Sequence, residues 1–147
     1  MQNKNILLLR SVFCTELVTT ALLVGIFETD LLPVGTLPLD KSQEYILSMV
    51  GVVLTIIGIP LALKLMTLKP VRAQISVSEQ RYVTWSMLRI ALLGIPLLYN
   101  TLMYYLLGFN TTCCYLALMC VVAFIFIWPS QERMQNECEV HGNQEES

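Results

Sequence analysis

The chain has 147 residues, of which 55% are hydrophobic and only 14% are charged, and its formal net charge is −2. Average soluble domains carry roughly 25% charged residues, so this composition predicts a small all-α integral membrane protein rather than a soluble one. A slightly acidic chain offers no basic surface for nucleic acid. Its 5 cysteines contain no C-x-x-C pair, which excludes a zinc ribbon.

Four apolar segments are long enough to cross a hydrocarbon core of ~30 Å at ~1.5 Å per residue. The predicted spans are residues 6–27, 45–66, 83–107 and 111–128, and they form a transmembrane bundle within residues 1–129. Arg10 and Glu16 interrupt the first apolar run and no A-x-A site follows it, which favours a retained helix over a cleaved signal peptide. Residues 130–147 form a polar, acidic tail.

Capping signals mark the starts of the second and third helices. Asp40 followed by Gln43 resembles a capping box, and Ser76-Val-Ser-Glu79 fits the same pattern. The third helix is therefore predicted to begin in the second loop and to enter the bilayer near Val83.

The basic residues predict the orientation of the bundle. With the N-terminus inside, six bases lie on the cytoplasmic side and Lys41 alone lies outside. The positive-inside rule then places both termini in the cytoplasm, in a multi-pass protein of the plasma membrane or of a bacterial inner membrane. The six bases are Lys4, Lys64, Lys69, Arg72, Arg81 and Arg133.

The third span carries a polar stripe. Four of its residues are spaced i, i+4, i+7 and i+11, within roughly 20° of one line on the helix, so they are predicted to avoid lipid. Prolines 60 and 96 are predicted to kink their helices, and each frees a carbonyl four residues earlier that needs a partner in the bundle. The stripe residues are Arg89, Leu93, Pro96 and Asn100.

A carboxylate, Glu16, is predicted near mid-membrane, where a charge costs about 2.5–3.5 kcal/mol. Glu16 lies ~15 Å into its span and Arg89 ~9 Å into the third, a difference that an arginine side chain can cover. The first hypothesis is therefore a structural Glu16–Arg89 ion pair that fixes spans one and three against each other.

Other polar groups extend this prediction. Thr19 and Thr20 continue the face of Glu16 and, with Asn100, are expected to form hydrogen bonds between helices. Arg10 lies about 240° around the first helix from Glu16 and is expected to snorkel to the cytoplasmic surface. No catalytic residue, metal site or cofactor is predicted, because Cys138 and His141 provide only two potential ligands.

The segment Glu16-Leu-Val-Thr-Thr20 is similar to the first span of the small multidrug resistance transporters. The resemblance covers about ten residues and implies a small proton-coupled transporter in which Glu16 is the titratable site. In the third span this chain has Arg89, where that family has an aromatic motif.

Two functions therefore stay open. The leading prediction is a non-enzymatic protein that works through helix packing with itself, as a homo-oligomer, or with a larger membrane-protein partner, contacted by the basic loop 69–81 and the tail. The alternative is the proton-coupled transporter. One internal repeat, Gly58-Ile-Pro-Leu61 and Gly94-Ile-Pro-Leu97, is interpreted as a chance match because its two helices run in opposite directions.

Overall fold

The computed structural model describes residues 2–70, 73, 79–128 and 132, and the regular structure of these residues is entirely helical. The helices are α1 (Gln2–Glu28), α2 (Lys41–Lys64), a 3-10 helix (Leu65–Thr67), α3 (Glu79–Leu106) and α4 (Thr111–Phe126). The predicted tail, apart from Glu132, and the Ser76 end of the second capping box lie outside the described residues.

Three of these helices, α1, α2 and α3, are long and apolar enough to cross a membrane. The fourth predicted span is shorter than expected, since α4 has 16 residues and measures ~24 Å at ~1.5 Å per residue. The chain is thus an all-helical protein with several helices suited to a membrane.

The central helix is α3. It packs against each of the other three helices, whereas the main backbone contact of α1 is with α3. The most apolar window of α3 is 50% buried, compared with 28% for α2 and 17% for α1. Most of the surface of α1 is therefore left open.

Both helix starts that follow described loops are capped. The predicted capping box of α2 is present, and the backbone N–H of Asp40 donates to the Gln43 side chain at 3.4 Å. At the start of α4, the Asn110 side chain accepts hydrogen bonds from the backbone N–H groups of Thr112 and Cys113 at 3.1 and 3.4 Å. Asn110 thereby satisfies two of the amide groups that a helix start leaves unpaired.

The α1–α2 loop and the α3–α4 turn meet at one end of the bundle. The backbone N–H of Gly35 donates to the carbonyl of Tyr105 at 3.0 Å. Gly35 and Gly108 both have positive φ angles, +67° and +72°, and a Cβ on Gly35 would lie 3.7 Å from Gly108 Cα. Glycine suits both positions because it adopts this conformation without strain and allows the close approach.

Aromatic and polar contacts fasten α1 to α3 at the same end. The Phe27 and Tyr105 rings stack with centroids 4.7 Å apart, and the Tyr105 hydroxyl donates to Glu28 Oε1 at 2.9 Å. Near the middle of α1, Phe13 packs on Phe124 and Trp128 with centroid distances of 5.1 and 4.9 Å. Aromatic side chains therefore help to pack α1 both at its C-terminal end and near its middle.

Candidate functional site: two sides of the central helix

The predicted stripe on α3 is buried along its whole length. Arg89 is 5% exposed, Leu93 and Asn100 are 0% exposed, and Pro96 is buried. The burial agrees with the sequence-based expectation that this face avoids lipid.

Asn100 is the centre of a hydrogen-bonded contact between α2 and α3. Its Nδ2 donates to Thr55 Oγ1 and to the Pro96 carbonyl, both at 2.8 Å. The Thr55 hydroxyl donates in turn to the Gly51 carbonyl at 2.8 Å. The Thr55 side chain also lies next to the Cys120 thiol of α4. A buried amide bonded in this way joins α2 to α3, beside α4.

Gly51 is required by this arrangement. A Cβ built on Gly51 would collide with Oδ1 of Asn100 and would lie 3.3 Å from a ring carbon of Tyr99. Asn100 Oδ1 itself is buried and accepts no hydrogen bond within the described part of the chain. The close approach of α2 and α3 therefore depends on the absence of a side chain at Gly51.

The two intrahelical prolines differ in their surroundings. Helices α2 and α3 continue through both, but Pro60 is exposed whereas Pro96 is buried. A Cβ on Gly58 would lie 3.2 Å from the Leu92 carbonyl, the one that Pro96 frees, and 3.4 Å from the Pro96 ring. Gly58 thus lets α2 approach that carbonyl closely.

Further bonds join α2 to its neighbours near the other end of the bundle. The Tyr99 hydroxyl donates to the Leu47 carbonyl at 3.0 Å. Asn110 Nδ2 donates to Glu44 Oε1 at 3.0 Å and to Ser48 Oγ at 3.3 Å. Because both ends of the Asn110 amide are bonded, the Asn110-Thr-Thr112 sequence serves the packing of α2 and α4.

Glu16 lies on another side of α3, against Gly94. A Cβ on Gly94 would be 2.5 Å from Glu16 Oε1 and 2.7 Å from its carboxyl carbon. The Glu16 side chain is half-buried, and its Oε1 is buried and accepts no hydrogen bond within residues 2–70, 73, 79–128 and 132. A buried carboxylate oxygen without a bond is costly, so this crossing carries an uncompensated polar group among the described residues.

Gly94, where Glu16 rests, is five residues from Arg89, which is ~7.5 Å along α3 and about 140° around it. Pro96 is about 200° from Gly94, so the buried stripe faces α2 while Glu16 comes from α1. The contact of Glu16 with Gly94 is therefore on a different side of α3 from the Arg89 backbone, and the ion pair stays a prediction.

The remaining predicted residues of α1 form local contacts. Thr20 Oγ1 donates to the Glu16 carbonyl at 3.0 Å and Thr19 Oγ1 to the Thr15 carbonyl at 2.8 Å. Both bonds span one helical turn, and Thr19 is exposed. Arg10 is also exposed, in keeping with a side chain that reaches the membrane surface.

A groove of about 220 Å³ lies between α1, α3 and α4. Thr20, one turn from Glu16, lines it together with Thr101, Tyr104 and Cys114. Within the described part of the chain, no group of three or more His, Cys, Asp or Glu residues could hold a metal ion.

Sequence reasoning missed the glycines at these crossings. Gly51, Gly58 and Gly94 each face a neighbouring helix at close range. For Gly58 and Gly94, the sequence signal was the repeated Gly-Ile-Pro-Leu segment, which places a glycine two residues before Pro60 and before Pro96. Both copies of that glycine turn out to lie at helix crossings.

No protein-family model matches the chain, and neither a curated protein nor a solved structure matches it. The fold alone supports a class, that of all-helical proteins with several membrane-suited helices.

Proposed function

We propose that the chain is a non-enzymatic, four-span protein of the plasma membrane or of a bacterial inner membrane, with both termini in the cytoplasm. In this proposal it works by packing its helices against a second copy or against a larger membrane-protein partner, and α1 provides the contact. The observation that carries the proposal is the open face of α1.

The open face of α1 has a different composition from the other exposed faces. Ser11, Cys14 and Thr15 are exposed there, between Leu7 and Leu22, which are 70% and 62% exposed. Small and hydroxyl-bearing residues let a second helix approach closely and bond to it, and they gain little from contact with lipid.

The exposed faces of α2 and α4 consist instead of large apolar side chains, such as Ile56 at 63%, Ile125 at 67% and Phe126 at 64% exposure. These side chains suit the hydrocarbon of a bilayer. The contrast points to α1 as the helix that meets another protein.

The interior polar groups support a packing role, because several of the side-chain bonds described above run between helices. Such groups join helices to one another and fix their register. The interhelical pairs are Asn100–Thr55, Tyr99–Leu47, Asn110–Glu44 and Tyr105–Glu28.

The proposed orientation is supported by exposed bases at one end of the bundle. Lys64, Lys69 and Arg81 are exposed near the connection between α2 and α3, away from the end where Gly35 meets Gly108. Reporter fusions after residues 35, 75, 110 and 140 should read outside, inside, outside and inside. An outside signal at residue 75 would overturn the assignment.

Photo-crosslinking in intact membranes tests the α1 contact. Val18 on α1 and Leu118 on α4 are both 56% exposed, so a benzophenone amino acid at either position is equally accessible. We expect the Val18 probe to crosslink the chain to another protein. The product has twice the mass of the chain if the partner is a second copy, and a larger mass if it is a larger membrane protein. The Leu118 probe should give mainly lipid adducts. Equal protein products from both positions, or none from Val18, would contradict the proposal.

The second candidate is a small proton-coupled transporter that uses Glu16. It is favoured by one observation: Glu16 Oε1 is buried without a hydrogen bond among the described residues, one helical turn from Thr20, which lines the 220 Å³ groove. A carboxyl group in that position can be neutralised by a proton, which removes the cost of the buried charge.

Proton flux into vesicles separates the two candidates. A transporter would lose its flux when Glu16→Gln is introduced, whereas Glu44→Gln, at the capped start of α2, would leave it intact. We expect no flux from the unchanged protein. A flux that Glu16→Gln abolishes and Glu44→Gln preserves would establish the transporter in place of the packing protein.

A further inference from the structure

The loop between α1 and α2 begins with a reversal of the chain that backbone hydrogen bonds hold in place. Asp30 has a φ angle of +55°, the left-handed conformation that commonly ends a helix. The N–H of Asp30 donates to the Phe27 carbonyl and the N–H of Leu31 to the Ile26 carbonyl, both at 3.2 Å. Because the first predicted span ends at Phe27, these bonds hold Leu31 close to the level at which that span ends.

A further bond holds the same loop a few residues later. The backbone N–H of Gly35 donates to the carbonyl of Tyr105, in the last turn of α3. At ~3.5 Å per residue, the chain from Leu31 to Gly35 can rise and return by no more than ~7 Å. The headgroup layer on each side of the hydrocarbon core is itself ~5–7 Å thick. Residues 31–35 are therefore held at the level of the headgroups that the proposed spans imply.

Large apolar side chains are exposed at this level. Leu31 is 73% exposed and Leu32 is 47% exposed, and Phe109, in the α3–α4 turn that Gly35 contacts, is 54% exposed. The centroid of the Phe109 ring lies 5.5 Å from that of Tyr104. Aromatic rings are enriched where a membrane meets water, so this end of the bundle has the side chains of an interfacial belt.

The charges at this end favour a neutral lipid surface over an anionic one. Glu28 and Asp30 precede Leu31 and are exposed, and the first base after them in the sequence is Lys41. An anionic lipid surface attracts basic groups and therefore repels acidic ones. Zwitterionic headgroups carry no net charge, and their ammonium groups are complementary to the two carboxylates.

From this geometry we propose that Leu31, Leu32 and Phe109 are inserted among the headgroups of a zwitterionic lipid surface. The inference rests on the four-span topology of the proposed function. A protein partner fits this loop less well, because closely packed membrane helices meet through small residues, which the open face of α1 provides and this loop does not.

Fluorescence quenching tests the insertion, with the full chain reconstituted in phosphatidylcholine vesicles. A dansyl amino acid replaces Leu31, Lys41, which is exposed at the same end, or Leu118, which is 56% exposed on α4. We expect a nitroxide on the lipid headgroup to quench the Leu31 probe, and acrylamide in the water to quench the Lys41 probe. A nitroxide deep in the acyl chain should quench the Leu118 probe.

The other outcomes each identify a different failure. If acrylamide quenches the Leu31 probe as strongly as the Lys41 probe, the loop lies in water. If neither quencher reaches the Leu31 probe, a protein covers the loop. Either result overturns the proposal while the Leu118 result upholds the topology. A Leu118 probe that the deep nitroxide does not quench would contradict the four-span topology, and the inference with it.

Asp30→Asn tests the part played by charge. Asparagine also adopts the left-handed conformation, so the variant keeps the turn and loses the carboxylate. Replacing half of the lipid by phosphatidylglycerol should reduce the headgroup quenching of the Leu31 probe, and Asp30→Asn should make that reduction smaller. The Leu118 probe is the control and should respond equally in both kinds of vesicle. Equal quenching of the Leu31 probe in both, or a reduction that Asp30→Asn leaves unchanged, would overturn the preference for a zwitterionic surface.

Discussion

The two main contacts of α3 differ in how they are held together. Towards α2, Asn100 bonds to Thr55, and Gly51 and Gly58 let the backbones approach closely. Towards α1, Glu16 lies on Gly94 with a buried oxygen that lacks a hydrogen bond among the described residues, and Phe27 of α1 stacks on Tyr105 of α3.

This difference indicates that α2, α3 and α4 form a bonded unit, to which α1 is attached by packing and by the Tyr105–Glu28 hydrogen bond at its C-terminal end. Bonds between membrane helices contribute about 0.6 kcal/mol each on average, and packing of small residues adds to them. A helix that lacks such bonds in its middle can be stabilised by a partner. The open face of α1 and the unsatisfied Glu16 carboxyl group are therefore both explained by a helix that a partner stabilises.

The largest expected effect is that of Gly51→Ala. Its new Cβ would collide with Asn100 Oδ1, and Asn100 cannot move because its Nδ2 makes two hydrogen bonds at 2.8 Å. We expect the free energy of unfolding, measured by steric trapping in bicelles, to fall by about 1–3 kcal/mol. The control is Gly25→Ala, since a Cβ there meets nothing within 4 Å. Equal effects of the two changes would show that the α2–α3 contact is not tight.

A matched pair of threonines measures the bond between α2 and α3. Thr55 and Thr19 each donate to the carbonyl four residues earlier at 2.8 Å, but Thr55 also accepts from Asn100. Thr55→Val should lower the free energy of unfolding by about 0.6–1.7 kcal/mol. Thr19→Val, on the exposed face of α1, should change it by less than about 0.5 kcal/mol. If Thr19→Val lowers the free energy of unfolding more than Thr55→Val does, the stronger bond is the one on α1, which contradicts this prediction.

Much of the bonded unit follows from local sequence rules. The Asp40–Gln43 box predicts the start of α2, because a cap depends only on neighbouring residues. The spacing of Arg89, Leu93 and Asn100 predicts their burial, because helical periodicity fixes which residues share a face.

The position of Glu16 could not be predicted in the same way. Its depth in the membrane follows from its distance along α1, but its neighbour depends on how α1 is rotated against α3. That neighbour is Gly94, and a glycine gives no positive signal because the contact consists of a missing side chain. Arg89 was the more conspicuous residue at a similar depth, although it lies on a different side of α3.

A smaller effect is expected for Gly94→Ala. The new Cβ would crowd Glu16, but Glu16 is half-buried and the far end of a flexible side chain can swing away. We expect a loss below about 1 kcal/mol in the free energy of unfolding. Glu16→Ala combined with Gly94→Ala should restore most of it, since the crowding is then absent. A loss as large as that of Gly51→Ala would mean that the α1 contact is just as rigid.

The most direct test of the separation between the two sides of α3 is a double-mutant cycle on Glu16 and Arg89. Each residue is changed to Gln, singly and together, and the free energy of unfolding is measured for all four proteins. Because Arg89 and Gly94, the residue that Glu16 contacts, lie on different sides of α3, the account predicts that the two effects add to within about 0.5 kcal/mol. If the loss of unfolding free energy in the double variant is smaller than the sum of the two single losses by more than about 1 kcal/mol, Glu16 and Arg89 form an ion pair. The account is then contradicted.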